Sequence, residues 1–191
     1  HVAIVMAEDE YQTERTLTEF ARAHLQRDFR LSLFYADAHD LHTLPGIAQL
    51  DEADLAIISV RRRMLPKAQL DVFRKFVADG KPIVALRTAS HAFSLRSGEP
   101  PAGCDLWPEF DRDVLGGNYQ GHHSNRPVEG TMTHVWVVPD ARGHAVLQDV
   151  PDGQWGVASS LYKTQPLGPH ATLLMLGRAG DRQPHEPVAW T

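Results

Sequence analysis

The stretch PIVALRTASHAF, residues 82–93, decides how the chain is read. A short apolar run, PIVAL (82–86), passes without a break into Arg87, Thr88, Ser90 and His91. A strand covered on both faces reads as a near-continuous apolar run, so polar residues that follow it at once belong to the end of a sheet. In parallel sheets ligands bind beyond the carboxyl ends of the strands, and a helix starting there aims free N–H groups at them. Capping of that helix by Thr88 or Ser90 is compatible with the same placement.

Upstream, Pro66 stands where a helix would begin, Leu70, Phe73, Phe76 and Val77 follow at helical spacing, and Gly80 lies just past the end. Three more strand-like runs precede it: VAIVM (2–6), LSLFYA (31–36) and DLAIISV (54–60). Between the first two, Thr13–Phe29 puts Leu17, Phe20, Ala21, His24 and Leu25 on one face of an amphipathic helix. Strands alternating with helices predict an α/β fold with a parallel sheet and right-handed crossovers.

Downstream the pattern loosens. Residues 96–108 read as a Gly/Pro-rich loop, EFDRDVL (109–115) as a short helix ended by Gly116 and Gly117, and NYQGHHSNRP (118–127) as another loop. THVWVVP (133–139), ATLLMLGR (171–178) and EPVAW (186–190) read as further strands. No repeat, low-complexity tract or long linker divides the chain, which predicts one domain over residues 1–191.

Composition narrows the function classes. With 191 residues and 42% hydrophobic content the chain can bury a sizeable core. A formal charge of −5 provides no basic footprint for nucleic acid. No apolar run approaches the roughly 20 residues of a membrane span, so a soluble domain is expected. Cys104 is the only cysteine, which excludes an internal disulfide, a CxxC pair and a thiolate zinc site. The chain opens at His1 directly into its first strand, as one would after removal of an export leader; periplasmic and cytoplasmic locations both stay open.

Taken in order, IVALRTASHAF, WPEFDRDVLGGNYQGHHSN, GHAVLQDV, SSLYKTQPL and GRAGDRQPHEPVAWT resemble the ThuA-like (trehalose-utilisation) family over nearly the whole chain. The resemblance implies a three-layer α/β sandwich with a mainly parallel sheet, flavodoxin-like and akin to the class I glutamine amidotransferases. In those amidotransferases the turn after this strand carries a nucleophilic cysteine in a GxCxG elbow. Here LRTAS takes its place, with Thr88 at the cysteine position, so glutaminase chemistry is disfavoured. The family's relatives also continue past the AWT strand into a further strand and a Gly-His turn.

The resemblance implies carbohydrate metabolism by way of keto-sugars. A keto group acidifies its neighbouring C–H, so a base and an oxyanion stabiliser could isomerise the sugar or eliminate its leaving group. His123 is the first candidate base and His122 the second. Arg87, Thr88, Ser90 and His91 are candidate substrate contacts, with Arg61 from the run Arg61–Arg63 as an anion clamp. Glu109, Asn118 and Asn125 complete the set. Each has a plainer reading: solvent-exposed histidines, a solvated charge run, a helix-capping carboxylate, ordinary loop amides. Trp107, Phe110 and Tyr119 read as core or lid residues before a sugar-stacking platform. No cofactor is firmly implied; a divalent metal on the histidines and a homo-oligomer stay open. The rival to a carbohydrate enzyme is a non-catalytic sugar-binding or protein-interaction module.

Overall fold

The first apolar run forms β1 (Val2–Ala7), and all of its side chains are buried. It is the start of a chain whose computed structural model describes residues 1–123 and 132–191, in two compact units, His1–Leu115 and Gly116–Thr191. Asn125, one of the candidate contacts, lies outside the described residues.

In the first unit β1 is followed by α1 (Thr13–Phe20), β2 (Leu31–Tyr35), β3 (Leu55–Val60), α2 (Lys67–Ala78) and β4 (Ile83–Ala85). The strands form one parallel sheet in the order β2-β1-β3-β4, with Val2 opposite both Leu31 and Leu55. Successive side chains of β1 leave on opposite faces. Ala3, Val5 and Ala7 join Ile58 and Val60, with Leu70, Phe73 and Phe76 of α2 and the rings of Phe93 and Phe110. Val2, Ile4 and Met6 join Leu17, Ala21 and Leu25. Both faces are apolar environments, which is why the run shows no polar alternation.

Local chemistry sets the ends of α2. Pro66, at φ −47° and ψ 136°, precedes its first residue and cannot donate an N–H there. Gly80 takes φ +72° just after the end, in the left-handed region that suits glycine. The expected helix over Thr13–Phe29 is shorter and changes pitch: after Phe20 it continues as a π turn, Ala21–Leu25. Leu17, Ala21 and Leu25, spaced by four, form the buried row. Phe20 and His24 form the next row, beyond the covered strip, and their rings meet at the surface 5.0 Å apart.

The second unit departs from the expectation of a mainly parallel sheet. β5 (His122–His123) lies in the segment expected to be loop and pairs with β8 (Leu161–Tyr162). β6 (Thr133–Val137), β7 (Gln154–Val157), β9 (Leu173–Ala179) and β10 (Glu186–Trp190) form a separate antiparallel sheet in the order β10-β9-β6-β7. Parallel neighbours need a crossover of about a dozen residues or more, and the short link from β9 to β10 permits only a hairpin. Gly177 in β9 is closely covered: a Cβ there would stand 2.8 Å from Val188 Cγ1 and 2.9 Å from Leu161 Cδ1. Among the described residues no helix is long and apolar enough to cross a membrane.

Phe93 links the two sides of the first unit's main core, with ring centroids 5.0 Å from Phe73 and 5.1 Å from Phe110. Removing a buried ring leaves a cavity as well as lost contacts, so Phe93→Ala is expected to cost about 3–5 kcal/mol in denaturant unfolding. A loss below about 1 kcal/mol would contradict this packing.

Candidate functional site

The polar residues of the first unit collect where its buried strands end. Directly after β1 the chain must turn into α1, whose first N–H groups have no partner within the helix. Glu8 supplies one. Its buried carboxylate accepts the N–H of Glu10 at 2.6 Å, of Tyr11 at 2.7 Å and of Thr13 at 2.8 Å, together with the Thr13 hydroxyl at 2.8 Å. Burial alone raises its pKa, but the hydrogen bonds, led by the Thr13 N–H, bring it below the usual value. Ser59 at the end of β3 donates to Thr13 Oγ1 at 3.2 Å, joining the two strand ends.

Three non-glycine residues at this edge adopt positive φ: Gln12 at 56° after β1, Arg62 at 50° after β3 and Arg87 at 41° after β4. Each such conformation costs on the order of 1–3 kcal/mol and is characteristic of functional sites. After β4 the positive φ falls on Arg87, and the next residue, Thr88, is buried. The guanidinium of Arg87 lies 4.9 Å from the centre of the Tyr11 ring.

Arg87–His91 forms a short 3-10 turn that is tied to the loop after β3. Arg62 N–H donates to His91 O at 3.2 Å and Arg63 N–H to Ala92 O at 2.7 Å. Ser90 Oγ lies 3.3 Å from His91 Nδ1. This pair has the outline of a hydroxyl and its base, but burial, followed by the charges of Arg62, Arg61, Arg96 and Arg87, lowers the His91 pKa to about 3. Such an imidazole is a weak proton acceptor and does not activate an alcohol near neutral pH.

The arginine run separates into three roles. Arg61 pairs with Glu10 at 2.9 Å and Asp9 at 3.4 Å. Arg62 donates to Ser94 O at 3.4 Å. Arg63 is buried. Glu109 is exposed, and its carbonyl accepts the N–H of Asp113 at the start of the π turn Asp111–Leu115. Phe110 is core, and half-buried Trp107 packs on it at 5.1 Å. Cys104 is a free thiol in the loop whose backbone meets Pro66 ahead of α2.

His122, His123 and Asn118 belong to the second unit. Alternation along β5 leaves His122 exposed and turns His123 inward, to 9% exposure. His123 Nε2 lies 3.0 Å from Glu186 Oε1, and Glu186 is 2% exposed. The other carboxylate oxygen accepts the Thr164 N–H at 3.1 Å, and Thr164 Oγ1 donates to Pro187 O at 2.9 Å. A carboxylate only accepts hydrogen bonds, so Nε2 carries the proton and Nδ1 the lone pair. His122 stacks on Tyr162 at 6.4 Å, and Tyr162 meets Tyr119 at 4.7 Å. Asn118 Nδ2 and Gln120 Nε2 both donate to Gln165 O, so their amides brace the loop. Among the described residues no three His, Cys, Asp or Glu side chains gather as metal ligands.

Three of these groups escape the sequence reading. Glu8 is one acid in the run Glu8–Glu10, and nothing in its type separates it from its neighbours. Arg63 belongs to the run Arg61–Arg63 that the sequence offers as an anion clamp, but nothing in its type separates it from Arg61. Glu186 opens a strand, and only its burial, rare for an unpaired acid, marks it.

The depressed pKa of His91 has a consequence for stability. Folded, the ring stays neutral down to about pH 3; unfolded, it takes up a proton below its ordinary value of 6.5. The unfolded state therefore binds more protons in that window, and stability falls as pH drops from 6.5 towards 3. His91→Asn should flatten this part of the stability–pH curve measured by urea unfolding; an unchanged slope would refute the assignment.

The chain has no significant match to any protein-family model, any curated protein or any solved structure.

Proposed function

We propose that the chain is a carbohydrate-processing enzyme that acts on keto-glycosides or related disaccharide derivatives by acid/base catalysis, without a cysteine nucleophile. The observation that carries this reading is the His123–Glu186 pair. A base held by a buried carboxylate is the arrangement that proton transfer needs: the carboxylate fixes the tautomer and favours the imidazolium that forms. His123 Nδ1 would take the proton from the carbon beside the keto group and return it to the product or leaving group.

The substrate class comes from the ThuA-like resemblance, as does the finer architecture, a flavodoxin-like sandwich akin to the class I glutamine amidotransferases. The parallel order β2-β1-β3-β4 is compatible with that architecture.

Product analysis after incubation with 3-keto and unmodified disaccharides tests the proposal. His123→Ala should lower turnover by about 100-fold or more, the usual scale of general base catalysis, and leave sugar affinity within several-fold. Glu186→Gln should lower turnover by about 10-fold or more, because the amide no longer holds the His123 ring in one tautomer. Cys104→Ser should keep full turnover. Binding without product in the unmutated chain would instead identify a sugar-binding module, and turnover indifferent to His123 would refute the base.

A further inference from the structure

Arg63 stands apart from the other charged groups of the first unit. It is 6% exposed, yet no hydrogen bond or ion pair is made by its side chain among the described residues, and its Nε is buried without a partner. Burial pulls its pKa down, while Asp9, Glu8 and Glu14 act in the opposite direction and Arg61 adds to the lowering. A buried guanidinium without a bonded partner is costly, and arginine's planar fork is suited to receiving two oxygens at once.

Arg63 helps to wall a cavity of about 350 Å³, and Glu8 and Asp9 from the end of β1, Glu14 and Arg15 from α1, and Leu41 line it too. That volume is within the roughly 300–1,000 Å³ of small-molecule sites. Its place in the topology is also informative. The chain leaves β1 towards β2 on one side and β3 on the other, so the strand order reverses between β1 and β3. Open parallel sheets take ligands at the carboxyl ends beside such a reversal. The residues that follow those two strand ends, Glu8 and Asp9 on one and Arg63 on the other, are the ones that line the cavity.

The charges select the ligand. Three carboxylates face two guanidiniums in the lining, so a doubly charged phosphate meets more repulsion than a single carboxylate. Glu8 is saturated by the N–H groups of its own loop, and Asp9 pairs with Arg61. Among the described residues Glu14, exposed at the first turn of α1, makes no such bond through its carboxylate, and it can accept from hydroxyl groups.

The geometry points to a binding site for a polyhydroxylated monocarboxylate, a sugar acid, with its carboxylate on the Arg63 guanidinium and its hydroxyls towards Glu14 and Asp9. This goes beyond the acid/base reading and is tested by binding alone, so the loss of either leaves the other standing.

Calorimetric titration of the full chain with D-glucuronate, D-glucose and inorganic phosphate is the test. Glucuronate should bind saturably, with glucose and phosphate each at least about 10-fold weaker, the scale of one lost charged hydrogen bond. Arg63→Gln should weaken glucuronate about 10-fold or more, and Arg63→Lys, which keeps the charge without the fork, should fall between. Glu14→Gln, an exposed change, should weaken glucuronate several-fold with an unchanged melting temperature. If Arg63→Gln fails to fold, the glucose comparison and Glu14→Gln decide the matter. No saturable glucuronate binding, glucose as tight as glucuronate, phosphate tighter than either, or a folded Arg63→Gln that binds glucuronate like the parent would each overturn the site.

Discussion

β1 is covered on both faces, with every residue from Val2 to Ala7 buried. Parallel strands on either side satisfy its backbone, and two apolar clusters take its side chains. A strand held in this way can carry no chemistry along its length, because any polar side chain would be stranded without water. The polar residues of the unit are therefore displaced to its carboxyl end. Glu8, the first residue beyond the strand, is buried and fully hydrogen-bonded, and it sets the turn into α1. The positions of Asp9, Gln12 and Glu14 follow from that turn.

Positive charge and backbone strain meet at the same edge. Arg61, Arg62, Arg63 and Arg87 all follow strand ends, and two of them hold left-handed φ. Burial first, then the charges of Arg62, Arg61, Arg96 and Arg87, suppress the protonation of His91. A neutral imidazole within a cationic surround is a hydrogen-bonding group rather than a titrating one. By contrast His123 in the second unit faces a carboxylate. The two histidines thus have opposite electrostatic surroundings, and the difference could not be inferred from residue type.

How much of this was legible in the sequence varies with the physical signal. The four parallel strands and α2 are legible because burial on two faces and helical periodicity leave compositional traces, and Pro66 and Gly80 mark the helix ends. The π turn at Ala21–Leu25 is invisible, since Leu17, Ala21 and Leu25 keep a spacing of four that suits an ordinary helix. β7 and β8 escape notice because Gln154–Val157 and Leu161–Tyr162 are too short to show a period. The inward turn of His123 against the outward His122 follows from strand alternation, but its carboxylate partner lies 63 residues away, beyond any local pattern. The positive φ of Arg87 after β4 is likewise unmarked, since arginine is not a residue type that favours the left-handed region.

Gly177 has a wider consequence. The space over its Cα is filled by Val188 from β10 and Leu161 from β8, elements that reach it from different parts of the chain. Those three positions therefore cannot vary independently. A homologue with alanine at 177 would need a smaller residue at 188 or 161, and one that keeps glycine is free to hold bulk at both. Such a triplet constrains the order in which substitutions can accumulate: the neighbours must shrink before the glycine can grow.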